Sequence, residues 1–352
     1  MTFADLGGWP AVLGALTRGV DLPPASAAAA MTEVLEGRAT SAQIAAFCVA
    51  LRMKGETVEE MTGLLGAMLE HGLQVVVPGQ MALVDTCGTG GDRSCTINAS
   101  TLAALVVAGA GAPVCKHGNR AASSRCGSAD LLEALGVAID LGPEGVVACI
   151  EEAGMGFCFA PRFHPALRHA GPTRRELGVP TVFNFLGPLA NPSRLKRQSL
   201  GVSDPRMAAK MAGVLQANGA ERALVVFGHD GLDEVTITTT STVIDVDQGG
   251  TRTYEIDPAA LGLSTAEPGD LVGGDTATNA DMARGVLDGR RGPHREFVML
   301  NAAVGLVAAG VVDDVAAGLE AAAASIDEGR AASVLERMAK VSQEQAAAMG
   351  GA

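Results

Sequence analysis

The chain has 352 residues, enough for about two domains at roughly 150 residues each. Hydrophobic residues make up 48%, charged residues 18%, and the mean hydropathy is +0.26, which excludes a disordered or collagen-like chain. The formal net charge is −13, whereas a protein that holds nucleic acid electrostatically is usually basic over its binding face, so no nucleic-acid partner is expected. Aromatic residues contribute only 3%, which favours helices packed on a buried parallel sheet over a β-sandwich.

Cysteine usage and hydropathy predict where the protein resides. The seven cysteines form no CxxC pair, which is typical of reduced intracellular thiols. The first 20 residues contain no basic segment followed by an apolar stretch, so no signal peptide is expected. The longest apolar stretch, 102–115, is shorter than the ~20 residues that a membrane span needs. We therefore expect a cytoplasmic protein with no membrane partner.

The first 80 residues predict a small helical domain. Thr40 with Gln43 and Thr57 with Glu60 match the capping-box pattern, and apolar positions follow each pair at helical spacing. Pro24 suits the first turn of an earlier helix. The predicted helices are 25–35, 41–53 and 58–71.

Beyond residue 80 the pattern changes to strands that alternate with helices. Predicted strands are 81–84, 112–115 and 223–227, followed by β-prone runs at 236–246 and 254–256. Predicted helices are 101–110, 129–135, 279–287, 297–309 and 315–340, the last broken near Gly329. Strand, loop and helix in succession is typical of a parallel sheet. The predicted fold class is therefore α/β, with a small all-helical N-terminal domain and a larger α/β domain whose central sheet is mostly parallel.

Two polar loops follow predicted strands and so fall on the same edge of the sheet. The first has the sequence GTGGD at 88–92, with Asn98 and Ser100 at the start of the next helix, and it combines exposed backbone N–H groups with a helix N-terminus that suits phosphate. A tight turn with a helix cap is the alternative interpretation. The second, 116–128, offers lysine, arginine and hydroxyl groups for a polyphosphate, although His117 alone could be structural.

Acidic and basic residues further along the chain are candidates for binding a metal ion and an anionic substrate near these loops. Asp233 and Glu234 follow a strand and become natural Mg²⁺ ligands if phosphate loops share their sheet edge, although adjacent carboxylates on a loop are usually solvated. The stretch 161–206 holds eight Lys or Arg residues against two acidic ones. This stretch is either a solvated basic face or a receptor for an anionic substrate.

Nine runs, taken in chain order, resemble the anthranilate phosphoribosyltransferase family over about residues 10–340. They are DTCGTGGD (85–92), TINAST (96–101), KHGNRAASS (116–124), GSAD (127–130), FAP (159–161), HP (164–165), RRELG (174–178), FNFLGPL (183–189) and DGLDE (230–234). The resemblance implies transfer of a phosphoribosyl group from phosphoribosyl pyrophosphate (PRPP) to the amine of anthranilate, with Mg²⁺ and release of pyrophosphate, in tryptophan biosynthesis. It also implies a homodimer formed through the helical domains.

The resemblance further implies a discontinuous domain boundary and a set of site residues. The helical domain, 1–82, would be joined by 163–190 folding back, and 83–162 with 191–352 would form the PRPP-binding domain. The implied PRPP-binding residues are Gly88, Thr89, Gly91, Asp92, Thr96, Asn98, Ser100, Thr101, Lys116, His117, Gly118, Asn119, Arg120, Ala121, Ala122, Ser123, Ser124 and Ser128. The implied anthranilate-binding residues are Gly88, Asn119, His164, Arg174 and Pro188. The implied metal ligands are Ser100, Asp233 and Glu234.

The chemistry of this reaction predicts no obligatory side-chain nucleophile or base, because the amine of anthranilate is uncharged at pH 7. The family usually has glycine after the GTGGD run, where this chain has Arg93. If the position needs a positive φ, Arg93 strains the loop, and it could instead add a cation near the pyrophosphate; we expect the loop to tolerate it. Three alternatives remain open: a pyrimidine-nucleoside phosphorylase, a paralogue with another aromatic acceptor, and a non-catalytic homologue that binds nucleic acid.

Overall fold

The computed structural model describes residues 2–79, 81–121 and 124–350. Four helices occupy the first 70 residues: α1 Gly8–Thr17, α2 Pro24–Leu35, α3 Ser41–Lys54 and α4 Val58–Glu70. Both predicted capping boxes are confirmed, since Thr40 caps α3 with Gln43 and Thr57 caps α4 with Glu60. The sequence analysis defined no helix over α1, although Trp9 of this helix is buried against Phe47.

A second helical segment, 160–189, packs on these four helices. It contains α8 Ala160–Phe163, a 3-10 helix Pro165–His169, α9 Gly171–Leu177 and α10 Val182–Leu189. Helix α9 contacts α3, and α10 contacts both α3 and α4. Buried side chains of α10 such as Phe185 belong to the same apolar cluster as Phe47 and Leu64. The discontinuous domain boundary stays a prediction, and this packing supports it.

A seven-stranded sheet forms the α/β part. Its strands are β1 Val84–Gly88, β2 Val114–Gly118, β3 Met155–Phe159, β4 Arg197–Gly201, β5 Arg222–Gly228, β6 Ser241–Asp247 and β7 Gly250–Ile256. The order is β3-β2-β1-β4-β5-β6-β7; the first five strands are parallel, and β6 and β7 are antiparallel. The order reverses between β1 and β4, and this reversal defines the crevice where open α/β sheets bind ligands.

Helices cover both faces of the sheet. They are α5 Ala99–Gly109, α6 Ser128–Ala134, α7 Pro143–Ala153, α11 Pro205–Ala217, α12 Thr276–Leu287, α13 Pro293–Ala309, α14 Val315–Asp327 and α15 Arg330–Gly350. Strand β5 shows the two faces: Leu224 and Val226 join the core with α5 and α13, whereas Ala223 and Val225 join the core with α11 and the N-terminal helices. This period-two alternation places the sheet between two apolar layers. No described helix combines the length and hydropathy that crossing a bilayer requires.

Strand β1 differs from the sequence prediction for an identifiable reason. The prediction of a strand at 81–84 is wrong except at Val84, because β1 continues through the buried polar residues Asp85 and Thr86. Their polar atoms have partners within the fold, so burial is tolerated: Asn191 Nδ2 donates to Asp85 at 2.9 Å, and Thr86 Oγ1 donates to the Ser100 carbonyl at 2.8 Å.

Strand β3 was not predicted, since Gly156 weakens its strand signal. A Cβ atom at Gly156 would collide with Val146 of α7, so the glycine allows this helix to approach the sheet closely. Strand β4 was also missed, because Arg197 and Gln198 interrupt any apolar run at its start. The predicted break near Gly329 is confirmed: α14 ends at Asp327 and α15 begins at Arg330.

Candidate active site

The carboxyl ends of β1 and β4 meet where the strand order reverses. Gly88 ends β1 and Gly201 ends β4, and the two residues are paired in the sheet. A Cβ atom at Gly201 would overlap the backbone oxygen of Asp233, and one at Gly88 would overlap the Asp233 carboxylate. The two strand-terminal glycines therefore open the space in which Asp233 lies.

Three acidic side chains form the centre of this crevice. Carboxylate oxygens of Asp92, Asp233 and Glu234 lie within 4.8 Å of one another. Burial, reinforced by the charge of Asp92, raises the pKa of Asp233 to about 6, and the Gly90 N–H opposes this by donating to Asp233 Oδ2 at 2.6 Å. Burial also raises the pKa of Glu234 well above its usual value. Buried, mutually repelling oxygen ligands suit a hard divalent cation such as Mg²⁺.

The structure brings the predicted metal ligands into one cavity and places a third carboxylate beside two of them. Asp233 and Glu234 share the cluster with Asp92, which the sequence analysis placed among the PRPP-binding residues. Ser100 lines the same cavity, and its backbone lowers the pKa of Glu234 against the larger, opposite effect of burial. The third carboxylate has no signal in the local sequence, because the loop after β1 must fold back over Asp233 to bring it there.

The start of α5 contributes polar groups to the same cavity. Asn98 occupies the N-cap position, but its side chain makes no capping hydrogen bond and instead donates to the Cys126 carbonyl at 2.9 Å. Asn279 donates to Asn98 Oδ1 at 3.2 Å and so holds this amide in place. The Thr101 hydroxyl is buried and has no hydrogen-bond partner among the described residues. The interpretation of Asn98 as a simple helix cap is therefore wrong, since its side chain ties two loops of the cavity together.

The loop after β2 combines a buried lysine with a neutral histidine. Lys116 is 1% exposed, and its ammonium donates to the Thr86 carbonyl while its charge favours ionised Asp85. Burial, with a smaller contribution from His164, lowers the pKa of His117 to about 3. His117 Nε2 has no partner within the described part of the chain. At neutral pH the imidazole of His117 is therefore uncharged.

Asp130 organises the rest of this loop. Its Oδ2 accepts from the Ala121 N–H and the Gly127 N–H, both at 2.9 Å, and its Oδ1 pairs with Arg120 at 2.8 Å. Arg120 also reaches Glu133, so its charge is balanced by the protein itself. The predicted residues Ala122 and Ser123 lie outside the described residues.

One cavity of about 480 Å³ collects these elements. The predicted PRPP-binding and metal-binding residues that line it are Gly88, Thr89, Gly91, Asp92, Thr96, Asn98, Ser100, Thr101, Lys116, His117, Gly118, Asn119, Arg120, Ala121, Ser124, Ser128, Asp233 and Glu234. The cavity also includes residues that the sequence analysis did not propose, such as Val179, Pro180 and Asn184 near the start of α10. Helical and α/β parts thus face each other across the site.

Three predicted anthranilate-binding residues, His164, Arg174 and Pro188, are not part of the cavity lining. His164 is buried, its Nε2 lies 2.8 Å from the Ala190 carbonyl oxygen, and its ring centroid is 5.1 Å from that of His117. The Pro188 carbonyl accepts from Gln198 Nε2 at 2.8 Å. The guanidinium of Arg174 lies over the Phe183 ring, 5.0 Å from its centroid, and burial lowers its pKa. Their predicted roles remain predictions.

The loop after β1 adopts an uncommon backbone conformation at two residues that are not glycine. Arg93 has φ 60° and Cys95 has φ 56°, next to Gly90 at 65° and Gly91 at 84°. The position of Arg93 is thus one that favours glycine, and a side chain there costs about 1–2 kcal/mol. The positive φ that the sequence analysis considered at Arg93 is therefore present.

Asn301 is a residue of the site that the sequence analysis missed. It lies on α13, and its side chain accepts from the Val235 N–H at 3.0 Å and donates to the Val235 carbonyl at 2.9 Å. Val235 directly follows the two adjacent carboxylates, so Asn301 fixes the segment that carries them. An amide inside an apolar helical run could have signalled such a role.

We expect Asn301→Leu to raise the Mg²⁺ concentration for half-maximal activity about tenfold or more, because residues that orient metal ligands typically control affinity to this extent. Val298→Ala is the matched control, since it removes buried atoms from the same helix without a hydrogen bond to the carboxylate segment. Titration of activity with Mg²⁺, beside thermal unfolding, separates the two effects. Equal Mg²⁺ dependence in both variants would contradict a positioning role.

The fold and cavity define the class of this protein: a two-domain glycosyltransferase. Residues 80–332 match the family model described as "Glycosyl transferase family, a/b domain", and residues 10–72 match the one described as "Glycosyl transferase family, helical bundle domain". The anthranilate phosphoribosyltransferase of Salinispora arenicola is 53% identical over 95% of this chain and 96% of its own length, and that of Acidothermus cellulolyticus is 54% identical over 97% of both. The chain belongs to the anthranilate phosphoribosyltransferase family.

Solved structures agree with this assignment. The crystal structure of anthranilate phosphoribosyltransferase from Thermus thermophilus has a TM-score of 0.89 at 42% identity, covering 94% of this chain and 99% of that one. The Saccharomyces cerevisiae enzyme in complex with PRPP and Mg has a TM-score of 0.87 at 27% identity, covering 96% and 98%. The same yeast enzyme has also been solved in complex with 4-fluoroanthranilate.

Proposed function

We propose that this chain transfers the phosphoribosyl group of PRPP to the amine of anthranilate, giving N-(5-phosphoribosyl)anthranilate and pyrophosphate, in tryptophan biosynthesis. The observation that carries the proposal is the cluster of Asp92, Asp233 and Glu234 in one cavity with two loops suited to phosphate. The family membership and the yeast complex with PRPP and Mg support it.

The cavity offers distinct surroundings for the two charged ends of PRPP. The glycine-rich loop 88–92 and the start of α5 lie beside the carboxylate cluster and suit the pyrophosphate end and ribose. The loop 116–128, with Lys116 and Ser128, suits the sugar phosphate. Mg²⁺ held by the carboxylates would neutralise charge that gathers on the leaving pyrophosphate.

The other task of the protein is to present the amine to ribose C1 and to keep water away. The amine is uncharged at pH 7, so no side chain needs to remove a proton before attack, and the neutral His117 is consistent with such a site. Burial raises the pKa of the Cys87 and Cys126 thiols, which disfavours the nucleophilic thiolate form. Approach of the helical part would bring the reacting atoms to about 3–3.5 Å and exclude water.

Arg174 is proposed to select the carboxylate of anthranilate. It projects from α9 on the helical side and stacks on Phe183, which leaves the edge of its guanidinium for an acidic ligand. His164 and Pro188 would support the acceptor site indirectly. The ring of His164 packs against that of His117. The Pro188 carbonyl oxygen lies 3.8 Å from Cys87 Sγ.

Loss of anthranilate fluorescence with purified protein, PRPP and Mg²⁺ tests the proposed reaction. We expect rapid loss that stops on addition of EDTA, and an Arg174→Ala variant with a KM for anthranilate raised about 10–100-fold, the range expected for a lost charge-assisted hydrogen bond. Arg175→Ala, on the exposed side of the same helix, is the matched control.

Unchanged fluorescence with folded protein would contradict the proposed acceptor. Other aromatic amines with the same donor, and phosphorolysis of thymidine or uridine, would then discriminate the remaining alternatives. A gel-shift assay whose affinity falls steeply with salt would favour the nucleic-acid alternative.

We also propose that the chain forms a homodimer through its helical part. Met53 is 83% exposed and Val49, one turn earlier on α3, is 37% exposed, so this helix presents an apolar strip to its surroundings. The cytoplasmic location and the absence of membrane and nucleic-acid partners stay predictions.

A further inference from the structure

The loop after β1 holds Arg93 in a left-handed conformation by contacts on both sides. Before it, Asp92 accepts from the Ser94 N–H at 3.3 Å and from the Ser94 hydroxyl at 2.5 Å, which closes a tight turn around Arg93. After it, the Cys95 carbonyl accepts from the Gly273 N–H at 2.8 Å. The backbone of Arg93 is therefore determined by its neighbours, and glycine would fit this position with less strain.

Arg93 is an exposed residue that lines the cavity containing the carboxylate cluster. Within residues 2–79, 81–121 and 124–350 the Arg93 side chain has neither an ion pair nor a hydrogen bond, and the adjacent carboxylate of Asp92 accepts from Ser94 instead. Arg120, the other arginine of the cavity, differs in this respect, since Asp130 and Glu133 balance its charge. The guanidinium of Arg93 is thus the arginine charge of the site that remains available to a ligand.

We propose that Arg93 binds the pyrophosphate end of PRPP. A planar guanidinium can donate two parallel hydrogen bonds to phosphate oxygens and keeps its charge throughout the reaction. Arg93 directly follows Asp92 of the carboxylate cluster and lines the same cavity, which would put it near the group that leaves ribose C1. Arg93 supplies positive charge from the protein there, in addition to the divalent cation. This inference rests on the proposed function.

The proposal explains why a strained residue occupies the loop, and it gives a substitution with opposite effects on folding and binding. Arg93→Gly removes the strain together with the charge. We expect its melting temperature to equal or exceed that of the wild type, whereas its KM for PRPP rises about 10–100-fold, as for a lost charge-assisted hydrogen bond, and its KM for anthranilate stays unchanged. Arg93→Lys should be intermediate, because it keeps the charge but loses the bidentate geometry.

Arg194→Gly is the matched control. Arg194 is another arginine with positive φ, 50°, it donates to the Leu69 carbonyl at 3.0 Å, and it lies outside this cavity. The same change from arginine to glycine at a left-handed position should leave the KM for PRPP unaltered. If the loss of an arginine charge or the release of backbone strain affected PRPP binding in general, the KM for PRPP would rise in both variants.

Calorimetric titration with inorganic pyrophosphate and Mg²⁺ tests the contact without the acceptor. We expect affinity to fall about 10–100-fold in Arg93→Gly and to be unchanged in Arg194→Gly. Equal pyrophosphate affinity and equal KM for PRPP in wild type and Arg93→Gly would overturn the proposal. Arg93-dependent pyrophosphate binding by a wild type that leaves anthranilate unconsumed would support it while overturning the proposed acceptor.

Discussion

The Asp233→Asn/Glu234→Gln double variant should lose about 10³-fold in kcat/KM, because a bound divalent cation supplies several kcal/mol of stabilisation to developing charge. The two substitutions keep the shape of the side chains and remove the anionic oxygens that lie within 4.8 Å of Asp92. Steady-state rates at saturating Mg²⁺ measure the loss. EDTA should abolish the activity of the wild type to a similar degree.

The same variant should unfold at a higher temperature than the wild type in the absence of divalent cations. Burial raises the pKa of both carboxyl groups, so at neutral pH their charged forms are stabilised less in the folded chain than in the unfolded one. Their removal relieves this penalty, and added Mg²⁺ should raise the melting temperature of the wild type alone. A variant that loses both activity and stability would indicate that these carboxylates hold the fold instead of a cation.

Gly201→Ala should reduce kcat/KM by about 100-fold and lower the free energy of unfolding by about 1–3 kcal/mol. The added Cβ would overlap the backbone oxygen of Asp233 and push the segment that carries Asp233 and Glu234 out of the crevice between β1 and β4. Chemical denaturation and activity at several Mg²⁺ concentrations measure the two effects.

Gly66→Ala is the control for this glycine substitution. Gly66 lies inside α4 with open space around its Cβ position, so alanine there should leave activity unchanged and stabilise the helix by about 0.5–1 kcal/mol. If Gly201→Ala retained full activity, Asp233 would have enough freedom to move, and the strand-terminal glycine would not determine the site.

Local signals account for the parts of the site that the sequence predicted. The glycine-rich run before α5, the loop after β2 and the adjacent acids Asp233 and Glu234 each combine turn residues with suitable chemistry within a few positions. Each follows a strand, and parallel strands bring such loops to one edge. The resemblance then supplied their predicted roles. The cavity contains the predicted PRPP-binding and metal-binding residues that the structure describes, but not His164, Arg174 and Pro188.

Residues whose partners are distant in the sequence could not be predicted from local signals. Asn301 contacts Val235 from 66 positions away, and Asn279 contacts Asn98 from 181 positions away. Asp85 is a buried acid whose partners, Asn191 and Lys116, come from two other segments. In the sequence alone, such polar side chains are typical of surface positions. Their burial costs little only because distant residues supply hydrogen-bond partners.

The sequence by itself determined the helices with caps, the alternation that makes a parallel sheet, and the chemistry of the loops, since each depends on spacings of two to four residues. Tertiary structure decided which strand ends meet. β1 and β4 are neighbours although more than one hundred residues separate them, and only their pairing places Gly88 and Gly201 together around Asp233. It also decided the backbone of Arg93, which has a positive φ that arginine does not favour. On one side Ser94 donates to Asp92, and on the other side the distant Gly273 donates to the Cys95 carbonyl.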